Sequence, residues 1–183
     1  LVISMVGQYV QVINGFGRAK IVEITSSTKV KTNVEVPFYN TSAQSDYELE
    51  FGYEDVFSTD RGFPRSAVFH EGRLYFGGTK SLPSALIGSK ISDFFNFLES
   101  EGLDDDSIFA LLSSDTVNAI TGLRSGRDLQ IFTTGNEWYV QQAESEPITP
   151  QNLTLKAATK SGSKENIMPV AAEGGTIFLQ RSG

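Results

Sequence analysis

Apolar and polar residues alternate along most of this chain at the two-residue period of a half-buried strand. Glycine, proline and asparagine interrupt the alternation every few residues. The run Gly7–Ile13 alternates and stops at Asn14-Gly15, a pair suited to the positive-φ positions of a type I′ hairpin turn. Ala19–Thr25 follows and stops at Ser26-Ser27-Thr28. Lys29–Val36 then sets Val30, Thr32, Val34 and Val36 on one face and Lys29, Lys31, Asn33 and Glu35 on the other. These runs predict a three-stranded meander inside a small barrel or sandwich-like β module over residues 1–58. Beyond Pro37 the pattern weakens. Asn40–Ser45 reads as a polar loop, Asp46–Tyr53 alternates again with its acids outward, and Asp60-Arg61-Gly62 marks the expected boundary.

The second region, 59–183, opens on Gly62–Ser89. It holds the strand Ala67–Phe69, a turn at His70-Glu71-Gly72, the strand Arg73–Phe76, a stop at Gly77-Gly78 and a further strand at Ala85–Gly88. The aromatic run Ile91–Leu98 is either a short helical turn or a docking loop, and Ile108–Leu112 is either a short helix or a strand. Further strands are expected at Val117–Leu123, Leu129–Thr133, Glu137–Gln141, Met168–Ala172 and Thr176–Leu179.

Three of these segments share one plan. RSAVFHEGRLYFGGT, VNAITGLRSGRDLQIFTTG and MPVAAEGGTIFLQRSG each run from a short apolar strand through a glycine-containing turn to a second apolar strand, with glycine soon after. Taking Leu74, Leu129 and Thr176 as equivalent, the spacings are roughly 55 and roughly 47 residues, against about 40–50 for familiar propeller blades. The expected class is therefore mostly all-β, with a β module followed by part of a β-propeller in about three blade-like repeats. A sandwich with look-alike hairpins is the rival. Three partial repeats do not close a ring of at least about four blades, so the pattern predicts a fragment of a longer protein or an open array. The chain opens on Leu1 rather than Met, which leaves room for an upstream segment.

Composition narrows the chemistry. The net charge of -7 argues against a surface built to grip nucleic acid along its length. Cysteine is absent and His70 is the only histidine, which removes thiolate chemistry and most zinc or triad constellations. No apolar run is long enough for a membrane-spanning helix, and no secretory leader pattern is visible.

The remaining candidates read as structure first. His70, beside Glu71 and near Arg73, is expected to be a turn histidine with a local hydrogen bond. Asp104, Asp105 and Asp106, with Ser107 and the nearby Glu99 and Glu101, are weak candidates for a calcium site. They lack the ligand spacing of an EF-hand loop and read as a solvated acidic loop. Asp55 with Asp60, and Glu144 with Glu146, are the acid pairs a glycosidase would need, without an aromatic cleft around them. Gly15–Lys20 lacks Walker spacing, and Ser89, Ser113 and Ser114 lack a nucleophile elbow. Arg61, Arg65, Arg73, Arg124 and Arg127 gather at turns, as inter-subunit salt bridges or as ordinary solvated charges. No catalytic residue, metal or cofactor is assigned.

The stretch GFPRSAVFHEGRLYFGGT, with Ile87–Lys90, Asp93 and Phe97, carries a likeness to a known family. The likeness continues through Asp104–Asp106, Val117–Ile120, LQIFTTGNEW at Leu129–Trp138, Pro147–Pro150 and Pro169-Val170. Gly7–Val10 and Ala19–Ile21 extend it into the first module. The chain thus resembles virion proteins of short-tailed bacteriophages and prophages, called tail tubular protein B, tail nozzle or hub proteins, and matches only part of a typical nozzle subunit. The resemblance implies a non-enzymatic structural protein of the virion tail, assembled in the host cytoplasm. Its partners would be its own copies in a ring, other tail or connector proteins, and DNA in transit without sequence readout. The acids of 104–106 would then face the channel and repel DNA. A carbohydrate-binding or carbohydrate-degrading propeller at the tail tip is the alternative, and a bacterial propeller adaptor without a phage link is a third reading.

Overall fold

A computed structural model of the chain describes residues 5–12, 17–43, 45–50, 52–53, 56, 59, 61–99, 102–114, 116–141 and 146–182. The described residues are all-β: sixteen strands in antiparallel sheets and no α-helix. The chain divides into two compact units, residues 1–54 with 98–100, and residues 55–97 with 101–183.

In the first unit, β1 (Tyr9–Val12), β2 (Arg18–Ser26), β3 (Lys29–Val36) and β4 (Tyr47–Glu50) form one sheet in the order β3-β2-β1-β4. The meander is there, but its sheet is not closed into a barrel, one of the two forms expected. Its buried apolar residues, Tyr9, Ala19 and Ile21, lie on the two middle strands. On the edge strand Val30 and Thr32 are half-buried, while Val34 and Val36 of the same face are exposed. Tyr9 anchors the sheet by polar means as well. Its ring lies under the Arg18 guanidinium at 5.3 Å, and its hydroxyl donates to Glu35 Oε1 at 3.3 Å. The Asn14-Gly15 turn falls outside the described residues.

The second unit holds two four-stranded antiparallel sheets. The first comprises β6 (Ser66–His70), β7 (Arg73–Gly77), β8 (Ala85–Gly88) and β10 (Ile108–Leu111), in the order β10-β8-β7-β6. The intervening β9 (Leu98–Glu99) pairs instead with β5 (Gly52–Tyr53), in the first unit. The second sheet runs β11 (Ile120–Ser125), β12 (Leu129–Thr133), β13 (Glu137–Val140), β14 (Leu155–Thr159) in sequence order. A hairpin of β15 (Val170–Ala172) and β16 (Gly175–Ile177) follows. Ile108–Leu111 resolves as a strand. Of the two forms expected for Ile91–Leu98, the run is no helix and agrees with a docking loop. Its Phe97 is buried against Phe76 with ring centroids 5.4 Å apart, and with Val56 and Phe94 it covers the outer face of the first sheet.

The second face of that sheet packs on the second sheet. Tyr75, Leu86 and Ile108 meet Ile120, Leu123, Leu129 and Ile131, all essentially without solvent exposure. Gly77 and Gly78 allow the approach. A Cβ at Gly77 would stand 2.9 Å from Ile120 Cγ2, and one at Gly78, whose φ is +76°, would stand 2.4 Å from the Ile120 carbonyl oxygen. The glycine pair that reads in sequence as a strand stop is therefore also the place where the two sheets touch.

The three repeated segments are three antiparallel hairpins, β6–β7, β11–β12 and β15–β16. Leu74 packs on the outer face of the first sheet, Leu129 faces the first sheet, and Thr176 bonds to Gln130 of the second. The equivalent position thus points in each hairpin to the same side of the stack: away from the second sheet at Leu74, toward the first sheet at Leu129 and toward the second at Thr176.

Candidate functional site

The hairpin β6–β7 carries the only histidine and the most deeply buried arginine, and neither does what its place in the sequence suggests. His70 closes β6, one residue before the Glu71-Gly72 turn, whose φ values of +46° and +71° fit a two-residue hairpin. Its ring is buried, and Nδ1 lies 2.9 Å from the Ser125 hydroxyl at the end of β11. The expected local bond is in fact a link between two sheets, because the stacking sets the ends of β6 and β11 side by side. Burial holds the imidazole below its ordinary pKa, against the opposing pull of Glu71 and Asp128. A neutral ring bonded to a hydroxyl is a structural pin. Ser66 makes a matching tie, its hydroxyl accepting from the Leu123 amide at 2.9 Å.

Arg73 was expected among solvated or inter-subunit charges and is instead 1% exposed. Its guanidinium donates to the carbonyls of Ser89 and Asp104, both at 2.7 Å, and to that of Asp106. Burial pulls its pKa below the ordinary value, while Tyr75, Asp105 and Asp106 favour its charge. The acidic segment is thus wrapped around an arginine by its main chain. Asp106 turns its carboxylate inward: Oδ2 accepts from the amides of Gly102 at 3.1 Å and Leu103 at 2.7 Å, and Oδ1 pairs with Lys90 at 3.3 Å. The Asp106 carboxylate is engaged by its own loop and by Lys90, while Asp104 and Asp105 are exposed and give Arg73 carbonyl oxygens. Among the described residues no group of three or more His, Asp or Glu converges as a metal site would require. The reading of 104–106 as a solvated loop holds for two acids and fails for the third.

The other candidates are dispersed. Ser89 is fully buried, its hydroxyl accepting from the Leu74 amide at 3.0 Å and donating to the Lys90 carbonyl at 2.9 Å. Ser114 joins Thr116 and Asn118 in a local turn. Arg65 pairs with Glu165 at 2.9 Å inside the chain. Arg127 lies at the exposed β11–β12 turn, and Arg124 is half-buried on β11. Asp55, Asp60, Glu101, Glu144 and Gly15-Phe16 fall outside the described residues, so neither acid pair is described in full.

Two features were not anticipated from the sequence. One is β14, the fourth strand of the second sheet, from the stretch LKAAT at Leu155–Thr159. Its alternation is weak because only Leu155 packs against the core. The other is Glu137, 5% exposed on β13, which takes the Thr159 hydroxyl and, at 3.2 Å, the Ser161 amide on Oε2. Only a carboxylate inside an otherwise apolar strand, GluTrpTyrVal, hinted at it. No protein-family model matches this chain, and no curated protein matches it significantly.

Proposed function

We propose that this chain is part of a structural subunit of the tail nozzle or hub of a short-tailed phage or prophage virion, acting by assembly and not by catalysis. The supporting observation is the stacking of the three repeated hairpins in one direction, the second and third each set against the sheet before it. Successive four-stranded meanders stacked in this way are the arrangement of propeller blades. In this reading β6–β7, β11–β12 and β15–β16 are the inner pairs of successive blades, and β8, β10, β13 and β14 are outer strands. The work is geometric: stiff blades, pinned to one another by His70–Ser125 and Ser66–Leu123, hold edge loops at fixed angles. A ring of such subunits sets the bore of a DNA exit channel. Its partners are copies of itself, the adjoining tail or connector protein, and DNA contacted without sequence readout.

Negative-stain electron microscopy of the purified full-length protein, alongside light scattering, tests this. Ring-shaped particles with a central hole are expected. A strictly monomeric protein at all concentrations sinks the proposal, and depolymerisation of a polysaccharide by the same preparation favours the carbohydrate-acting propeller in its place.

A further inference from the structure

The face of the second sheet turned toward β15–β16 is not sealed. It holds a groove of about 330 Å³, at the lower end of the roughly 300–1,000 Å³ usual for small-molecule sites. Gln130, Phe132, Glu137 and Tyr139 line it from the sheet, and Thr176 and Phe178 from the hairpin, with Asp128 at the turn.

Most of its polar groups already answer one another. Thr176 donates to Gln130 Oε1 at 2.6 Å, and Thr159 and Ser161 occupy Glu137 Oε2. What remains on Glu137 is Oε1, a carboxylate oxygen without a hydrogen-bond partner on a residue 95% shielded from solvent. Asp128 adds a second carboxylate to the lining, and no lysine or arginine lines the groove. A buried carboxylate is stable only when a cation or a strong donor reaches it. Around it stand aromatic rings, with Phe132 and Phe178 at 5.2 Å between centroids and Tyr139 beside them on the sheet. Aromatic faces attract cations by the same electrostatics.

We propose that this groove binds a small organic cation, an ammonium or guanidinium group on a short apolar body. The N–H group reaches the floor at Glu137, and the apolar part lies against Phe132, Tyr139 and Phe178. A neutral sugar fits less well, because the Gln130 amide oxygen and the Thr159 and Thr176 hydroxyls that would answer its hydroxyl groups are already bonded within the groove, whose lining carries two carboxylates and no cation. The same chemistry is offered by a free amine and by a lysine or arginine side chain of a partner protein.

Trp138, the only tryptophan of the chain, adjoins Glu137 and borders the groove, so its fluorescence reports occupancy. The full chain would be titrated with butylammonium, methylguanidinium, the Nα-acetyl amides of lysine and arginine, and, as a neutral probe, glucose. A saturable change with the cations and none with glucose is expected. Tighter binding of the amino-acid amides than of butylammonium identifies a protein side chain as the source, and the reverse identifies a free amine. Affinity should fall at least tenfold in Glu137→Gln and severalfold in Tyr139→Ala, with thermal unfolding and far-ultraviolet circular dichroism recorded for both. A response to glucose alone, no response to any probe, or wild-type affinity in a folded Glu137→Gln or Tyr139→Ala would each overturn the proposal.

Discussion

The two faces of the second sheet receive neighbours of similar origin in different ways. Toward the first sheet it presents Leu123, Leu129, Ile131 and Val140, and the contact is closed and apolar apart from the hydrogen bonds at its edges. Toward β15–β16 it presents Gln130, Phe132, Glu137 and Tyr139, and the contact is partly polar and keeps a groove. The cause is the two-residue period of the strands. In Leu129-Gln130-Ile131-Phe132 and Glu137-Trp138-Tyr139-Val140, one set of alternate positions is uniformly apolar and the other carries an amide, a carboxylate and a phenol. An apolar set can close on its neighbour at crystal-like density, whereas polar groups must first find partners, and the space they need stays open. One strand pair thus builds a joint on one side and a recess on the other.

The largest effect that would break this comparison is a cavity in the closed face. Ile131→Ala, at a fully buried position, should cost about 2–5 kcal/mol in urea unfolding followed by circular dichroism. Phe132→Ala on the other face should fall below the roughly 3–5 kcal/mol usual for a sealed phenylalanine, because its ring already borders open space. If Phe132→Ala proved the costlier of the two, the faces would not differ as argued.

Gly77→Ala sets a methyl 2.9 Å from Ile120 and should cost about 1–3 kcal/mol by forcing the two sheets apart, measured in the same unfolding experiment. A neutral result would mean that the joint yields easily.

Acid should loosen the closed face at its edge. His70 is held below its ordinary pKa in the folded protein, so the unfolded chain takes up the proton first as pH falls. Stability is therefore fully present above the unfolded value of about 6.5 and declines as pH drops below it, toward the folded value. Melting temperatures of wild type and His70→Gln between pH 7.5 and 5.5 should converge on acidification, and parallel curves would remove His70 as the cause. The smallest change is expected at Thr176→Val, which deletes the bond to Gln130 across the open face. About 0.5–1.5 kcal/mol is expected, read from the urea midpoint.

Local chemistry in the sequence was enough to locate most of the strands. Asn, Gly and Pro punctuation and period-two alternation identify β1–β3, β6–β8, β11–β13 and the last hairpin. The repeat of three strand–turn–strand segments corresponds to three antiparallel hairpins that share a facing direction. Less legible were the segments whose burial comes from elsewhere. Leu155–Thr159 pairs as a strand because β13 offers it an edge, and its own pattern is weak. Ile108–Leu111 becomes a strand because β8 does the same.

The chemically interesting residues were the least legible. Arg73, His70, Asp106 and Glu137 are all polar residues that alternation assigns to solvent or turns, and all are buried. Their partners lie from a few to 55 residues away, and all of Arg73's are main-chain carbonyls that no side-chain motif encodes.

By itself, the sequence determined that this is a chain of short antiparallel strands, where the tight turns fall, and which alternate positions are apolar, since each of these depends on neighbours a few residues apart. Tertiary structure alone decided that the first module's sheet stays open and that the glycine pair 77–78 is a joint. It also decided that one acid of the 104–106 run turns inward and that Glu137 faces a recess. Those outcomes depend on which sheet face meets which, and only the packing of distant segments settles that.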